Sequence, residues 1–378
     1  MRRSVTKFEQ YRSCPFAYFS RYGLGLEERP RYQFAAPDLG MLVHGALRII
    51  GERLLREQKQ WHDIPDADVP AICRQATDEL APQVQHDILM SNAYFAQIKE
   101  RLIQTLTRTV RRLSAFSAVS DFHMEGLEKS FGRPGSPWEA LRFTLKNGLQ
   151  VVVTGQVDRI DTLRQGDHKY VVIIDYKSGR KQLDISQIFT GLELQLLTYM
   201  FVALLNIGGD AIPAAVLYCY VRNDKVSLEY RVSEEDKKKL YDAKGKLTGF
   251  YLDDGQVMQQ LDTSMQGFSD FLNLRLKKDG TLSDSSHTLY NEAGWSHLLD
   301  WAARQIRDIA GHIGDGDISI HPILMGQQAP CSYCPYRPVC RFDVAVAGNT
   351  YDAAGREDTD EMIQKMFDEG DDEHGLDE

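Results

Sequence analysis

The chain has 378 residues, 43% of them hydrophobic, and a formal net charge of −10. That content can bury a sizeable core in two or three packed units. It excludes a transmembrane helix, because no run of about 18 apolar residues occurs. The opening MRRSVTKFEQYRSCPF also lacks the apolar stretch of a secretory signal, so a cytoplasmic protein is expected.

The charge is concentrated. Residues 357–378 hold eleven acidic side chains and one basic one, Lys365, so this segment carries the whole excess and the rest of the chain is neutral. Such a composition predicts a solvated, disordered acidic tail over 346–378. The neutral body neither supports nor opposes a local basic groove.

Taken in order, residues 1–36 are an N-terminal segment. From Asp38, a reasonable N-cap, Met41, Leu42, Leu47, Ile50 and Leu54 recur at helical spacing. Residues 69–118 read as two further helices, with Ile98, Leu102, Leu106, Leu113 and Phe116 at apolar positions, so 37–125 is a helical region. The period then changes to two. Glu128–Phe131, Leu141–Leu145, Val151–Leu163 and Tyr170–Lys177 read as strands, and Asn147-Gly148 signals a hairpin. A helix over 185–205 and a strand over 214–221 complete a core at 126–222. Loops and a helix near 294–311 fill 223–330, a cysteine cluster occupies 331–345, and the acidic tail follows. Gly245-Lys246 is followed by Leu247 rather than Ser or Thr, so no Walker A pattern or ATPase is expected.

Two strand ends carry charge: GQVDRID at 155–161 and IIDYKSG at 173–179. Alternation puts Ile173, Asp175 and Lys177 on one face. If the preceding strand pairs as a hairpin, Asp158 sits beside Asp175. Two adjacent carboxylates repel each other and favour a divalent cation, and their hard oxygens suit Mg²⁺ or Mn²⁺. Such a cation activates water and a phosphoryl oxygen, and Lys177 would stabilise the developing charge. An isolated Asp-x-Lys also describes a surface ion pair; the apolar strands ahead of both aspartates argue against that. Gln195 and Tyr199 lie four residues apart on one face of the next helix. His44, on a mostly apolar helix, is a candidate third metal ligand.

Of six cysteines, Cys331, Cys334 and Cys340 are spaced C-x2-C-x5-C. Disulfides are not expected in a reducing compartment, which leaves metal binding or burial. The best fourth ligand is Cys14, followed by Pro15 as Cys334 is followed by Pro335. Four thiolates suit zinc or an iron–sulfur cluster. Either would clasp segments more than 300 residues apart. Cys73 and Cys219 are expected in the core.

These motifs together resemble the RecB-type PD-(D/E)XK nucleases, and more closely the C-terminal nuclease region of the AddB-type components of AddAB-type ATP-dependent helicase/deoxyribonucleases. The resemblance runs from SVTKFEQYRSCPFAYF through APDLGMLVHGAL, GQVDRID, VIIDYKSGRKQLDI and GLELQLLTY to the cysteine cluster. It implies an α/β, restriction-endonuclease-like core: a mixed sheet flanked by helices, with a helical insertion and an iron–sulfur staple joining the N- and C-terminal segments. It implies that His44, Asp158, Asp175 and the carbonyl of Tyr176 bind the catalytic metal and that Lys177 is the catalytic lysine. Gln195 and Tyr199 match its Q-x3-Y motif, and Cys14, Cys331, Cys334 and Cys340 match the ligands of a structural 4Fe–4S cluster. The implied activity is Mg²⁺-dependent exonucleolytic cleavage of single-stranded DNA in break repair and recombination, with an AddA-type helicase/nuclease partner and no membrane. AddB-type proteins carry a long helicase-like region ahead of this segment, so unwinding would depend on other parts. The competing reading is a DNA-binding clamp or structural component, stapled by zinc or iron–sulfur, that does not cleave.

Overall fold

Alternating apolar residues from Val151 to Lys177 form two antiparallel strands. A computed structural model describes residues 1–29, 34, 36–84, 87–179, 183–221, 233, 245–283, 287–353, 355 and 357–371. In it β4 (Gln150–Gln165) turns through Gly166 into β5 (His168–Lys177), in register from Gln165↔His168 to Arg159↔Ile174. Gly166 has φ 61°, a left-handed conformation that glycine adopts without steric cost.

β4 is long enough to serve several partners. Near its start it pairs β1 (Arg2–Ser4) in parallel and β3 (Arg142–Thr144) antiparallel; further on it pairs β2 (His123–Phe131) antiparallel. The expected Asn147-Gly148 hairpin joins β3 to β4, with Gly148 at φ 79°. The other edge of β5 takes β6 (Ala211–Tyr220) in parallel, and β7 (Thr248–Leu252) and β8 (Leu289–Tyr290) extend the sheet. Val171 to Ile174 are fully buried, as a strand covered on both faces requires.

A parallel β5–β6 pair needs a crossover, and it contains α6 (Ile185–Phe189) and α7 (Gln195–Ile207). The single helix expected over 185–205 is therefore two. Gly191, at φ 78°, interrupts it, and the break places Gln195 at the start of a helix rather than in the middle of one. α7 packs on β5 and β6. Behind it lie α1 (Val5–Ser13), continued by α2 (Pro15–Tyr22), and the later helix α9 (Glu292–Gly314). The helical region holds α3 (Ala36–Arg56), α4 (Val69–Leu80) and α5 (Ala93–Ala118), with α3 against β2. Two short helices, α8 (Gly255–Leu261) and α10 (Arg337–Cys340), belong to the C-terminal part.

The expectation of a disordered tail fails for residues 359–371. They form α11 (Thr359–Asp371), whose Met362 and Met366 are buried against the rest of the fold. The charge count concealed apolar residues four apart, which give this acidic helix a face to bury. The polar segment expected from 223 lies largely outside the described residues. No helix among the described residues is long and apolar enough to cross a membrane.

Candidate active site

The site forms where β4 and β5 part. Continuing their register past Arg159↔Ile174 brings Asp158 level with Asp175, but at this point Tyr176 donates its backbone N–H to Asp158 Oδ2 at 2.9 Å. The strand provides Asp158 and Asp175 on one face. Arg159 and Asp161 lie on the other, where they form a two-pronged pair at 2.7 Å, each 2% exposed. The acidic residues of GQVDRID thus have separate tasks. The motif's glycine has a packing reason: a Cβ on Gly155 would lie 2.4 Å from the Phe131 ring and 2.8 Å from that of Tyr199.

Asp175 is 1% exposed, and Lys177 Nζ lies 2.6 Å from its Oδ2. The contact is an ion pair whose angle falls short of an aligned hydrogen bond, so this oxygen keeps acceptor capacity. Burial pushes the Asp175 carboxyl above the ordinary range; the charge of Asp158 adds to this and Lys177 opposes it. Lys177 also donates to Gln195 Oε1 at 3.2 Å, and Gln195 Nε2 donates to the Tyr199 hydroxyl at 2.9 Å. The expected common face of Gln195 and Tyr199 is therefore present. Tyr199 packs edge-on against Phe131, and burial raises its phenol.

From the opposite side α3 brings His44, whose Nδ1 is 3.2 Å from Asp158 Oδ2. Burial disfavours the charged imidazole, but the hydrogen bond to Asp158 and the charges of Asp158 and Asp175 outweigh it, so the ring's pKa is raised. The structure adds Glu128 from β2. One ligand atom each of His44, Glu128 and Asp158 lie within 4.8 Å of one another, the one such set of three among the described residues. Burial, then repulsion from Asp158, pushes the Glu128 carboxyl up to about 7, although Gln156 donates a hydrogen bond to it. The sequence marks Glu128 only as a strand boundary. Its partner in the site is 30 residues later, so no local spacing singles it out. Its φ of 49°, rare for a non-glycine residue, appears only in the fold.

The donor set suits a hard divalent cation: three carboxylates and an imidazole converge, and the carboxylates are already raised by one another's charge.

The PD-(D/E)XK nuclease superfamily pattern matches residues 2–341. The chain belongs to this superfamily. Among curated proteins it is 36% identical to the B component of the ATP-dependent helicase/deoxyribonuclease of Moorella thermoacetica, over 94% of this chain and 31% of that protein. It is 34% identical to the component of the same name from Bacillus subtilis, over 92% of this chain and 30% of that one. The chain thus spans about a third of the relatives' length. Its mixed sheet flanked by helices is the architecture expected of a PD-(D/E)XK nuclease.

In this PD-(D/E)XK chain the four expected cysteines also meet. Cys14, at the α1–α2 junction, and Cys331, Cys334 and Cys340 line one cavity with Phe16 and Phe342. Burial raises the Cys14 and Cys331 thiols, with neighbouring thiols adding to it. No three of these sulfurs come within 4.8 Å of one another. Cys73 and Cys219 are buried in the core, as expected.

Proposed function

We propose that this chain is a Mg²⁺- or Mn²⁺-dependent deoxyribonuclease module that hydrolyses single-stranded DNA exonucleolytically within a helicase–nuclease assembly in the cytoplasm. The observation that carries the reading is the convergence of His44, Glu128 and Asp158 beside the Asp175–Lys177 pair. His44, Asp158 and Asp175 would hold the cation, with Glu128 and the Tyr176 carbonyl as further ligands. When bound, the cation supplies Lewis-acid activation of water and of the scissile phosphate. Lys177, held by Gln195, places a positive charge where the phosphorane gains negative charge. Tyr199 fixes the Gln195 amide from its other end. Double-strand break repair and an AddA-type partner are proposed from the names of the relatives, which are components of helicase/deoxyribonucleases.

The four cysteines are proposed to hold a 4Fe–4S cluster. Tetrahedral zinc with bonds of ~2.3 Å needs sulfurs ~3.8 Å apart. The more open thiol arrangement around one cavity favours a larger group. The purified protein should be brown, absorbing near ~400 nm, and a colourless protein with stoichiometric zinc overturns the assignment. Cys14→Ser and Cys334→Ser should each bleach it and lower the melting temperature of the whole domain by several degrees, since the clasp joins both ends of the fold.

The nuclease reading is tested on end-labelled single-stranded DNA with Mg²⁺. Asp175→Ala and Lys177→Ala should abolish cleavage in folded protein; full activity in either rejects the site.

A further inference from the structure

The N-terminal helix reaches the active site through one carboxylate. Glu9, on α1, is 9% exposed, and its Oε1 accepts the backbone N–H groups of Leu194 at 2.8 Å and Gln195 at 3.1 Å. Leu194 is the N-cap of α7 and makes no side-chain cap of its own. The first N–H groups of any helix lack partners within it. Here they are satisfied by a residue 185 positions away, with a negative charge that complements the helix dipole.

The capped residue belongs to the site. Gln195 holds Lys177 through Oε1 and Tyr199 through Nε2. A shift of the first turn of α7 would move that amide and release the ammonium. α1 is itself fixed on several sides. Arg12 donates to the Thr190 carbonyl at 2.7 Å and pairs with Asp352 at 2.6 Å. Ser13 accepts the N–H of Ile323 at 3.0 Å, and α1 ends at Cys14, in the cysteine-lined cavity.

We propose that Glu9 is a positioning residue for Lys177: it transmits the anchoring of the N-terminal segment, and of the cysteine clasp at its end, to the first turn of α7 and so to the Gln195 amide. This rests on the nuclease reading above. It assigns a function to the glutamate of KFEQYRSCP, which no motif or charge pattern explains.

The experiment compares Glu9→Ala, Glu9→Gln, Gln195→Ala and the Glu9→Ala/Gln195→Ala double variant in the full chain. Hydrogen exchange of the metal-free protein reads the cap directly. In Glu9→Ala the amides of Leu194 and Gln195 should exchange at least about 10-fold faster, with β4 and β5 unchanged. Steady-state cleavage of single-stranded DNA should show kcat reduced about 10- to 100-fold and KM within about twofold. Glu9→Gln, which keeps an acceptor oxygen without the charge, should fall between. The double variant should be no slower than the slower single one, because both act on the same lysine. Effects that multiply in the double variant, or a full kcat in Glu9→Ala despite faster exchange at Gln195, overturn the proposal. An unchanged exchange rate at Leu194 and Gln195 removes its structural basis. A wild-type chain that binds Mn²⁺ but cleaves nothing instead rejects the nuclease reading, and positioning for cleavage falls with it, while the exchange result still scores the cap.

Discussion

The Asp158 carboxylate accepts the Tyr176 backbone N–H at 2.9 Å, at the point where the β4–β5 ladder ends. A side chain takes the place of a main-chain acceptor, so the strands separate without leaving a buried donor unpaired. The same oxygen lies 3.2 Å from His44 Nδ1. One carboxylate thus terminates a strand pair and orients a candidate ligand.

Asp158→Asn separates these roles. The amide oxygen can still accept from Tyr176, so the melting temperature should stay close to that of the parent. The loss of charge should weaken Mn²⁺ binding and reduce cleavage by at least about 100-fold, the scale of several kcal/mol of charge stabilisation. Calorimetric Mn²⁺ titration beside a nuclease assay checks this, and an unchanged Mn²⁺ isotherm would remove Asp158 from the ligand set.

Glu128 should make the metal-free protein sensitive to pH. Its carboxyl is raised from 4.5 to about 7 in the fold, so between these values the folded state binds more protons than the unfolded one. Stability from this group is complete below about pH 4.5 and falls as pH rises towards 7, by about 3 kcal/mol at most. Glu128→Gln should therefore stabilise the metal-free chain at pH 8 and change little at pH 4. Denaturant melts in EDTA at both pH values read the difference. Equal effects at the two would place the cost elsewhere.

Behind the site, Arg159 and Asp161 pair with each side chain 2% exposed, and the Arg159 guanidinium lies 5.6 Å from the Trp61 ring centre. Asp161→Asn leaves a buried cation without its counter-charge and should cost about 3–5 kcal/mol. Replacing both, as Arg159→Met with Asp161→Leu, should recover much of that loss. Urea titration of the three proteins decides it, and a single variant as stable as the parent would refute the account.

Truncation after Glu357 removes α11. Met362 and Met366 would leave the core, and Phe367 would lose its stacking on His297, whose ring centre is 4.8 Å away. Two methionines at about 1.5–3 kcal/mol each predict a clear loss of stability. Cleavage well below the melting temperature should persist, because α11 packs on α9 and α6, away from Asp158. A truncated chain with unchanged stability would return the segment to the status of a solvated tail.

Much of this site is legible in the chain itself. Strand alternation places Asp175 and Lys177 on one face, a four-residue spacing aligns Gln195 with Tyr199, and the C-x2-C-x5-C run marks a cysteine centre, because each depends on periodicities within one element. The mixed sheet follows from the same alternation with the hairpin signals. The interruption of the crossover helix at Gly191 is not legible, since its apolar pattern continues across the break.

The sequence by itself determined which residue types could do the chemistry and on which element each would lie. Only the tertiary structure decided which of them meet. Glu128 joins His44 and Asp158 because β2 runs beside β4 while α3 packs across it. Glu9 reaches α7 because the N-terminal helix folds back against the crossover. Asp158 and Asp161, three residues apart, are assigned to the site and the core by the face of β4 each occupies. Periodicity is a property of the local backbone, whereas a ligand set or a helix cap is a property of packing between segments distant in the chain.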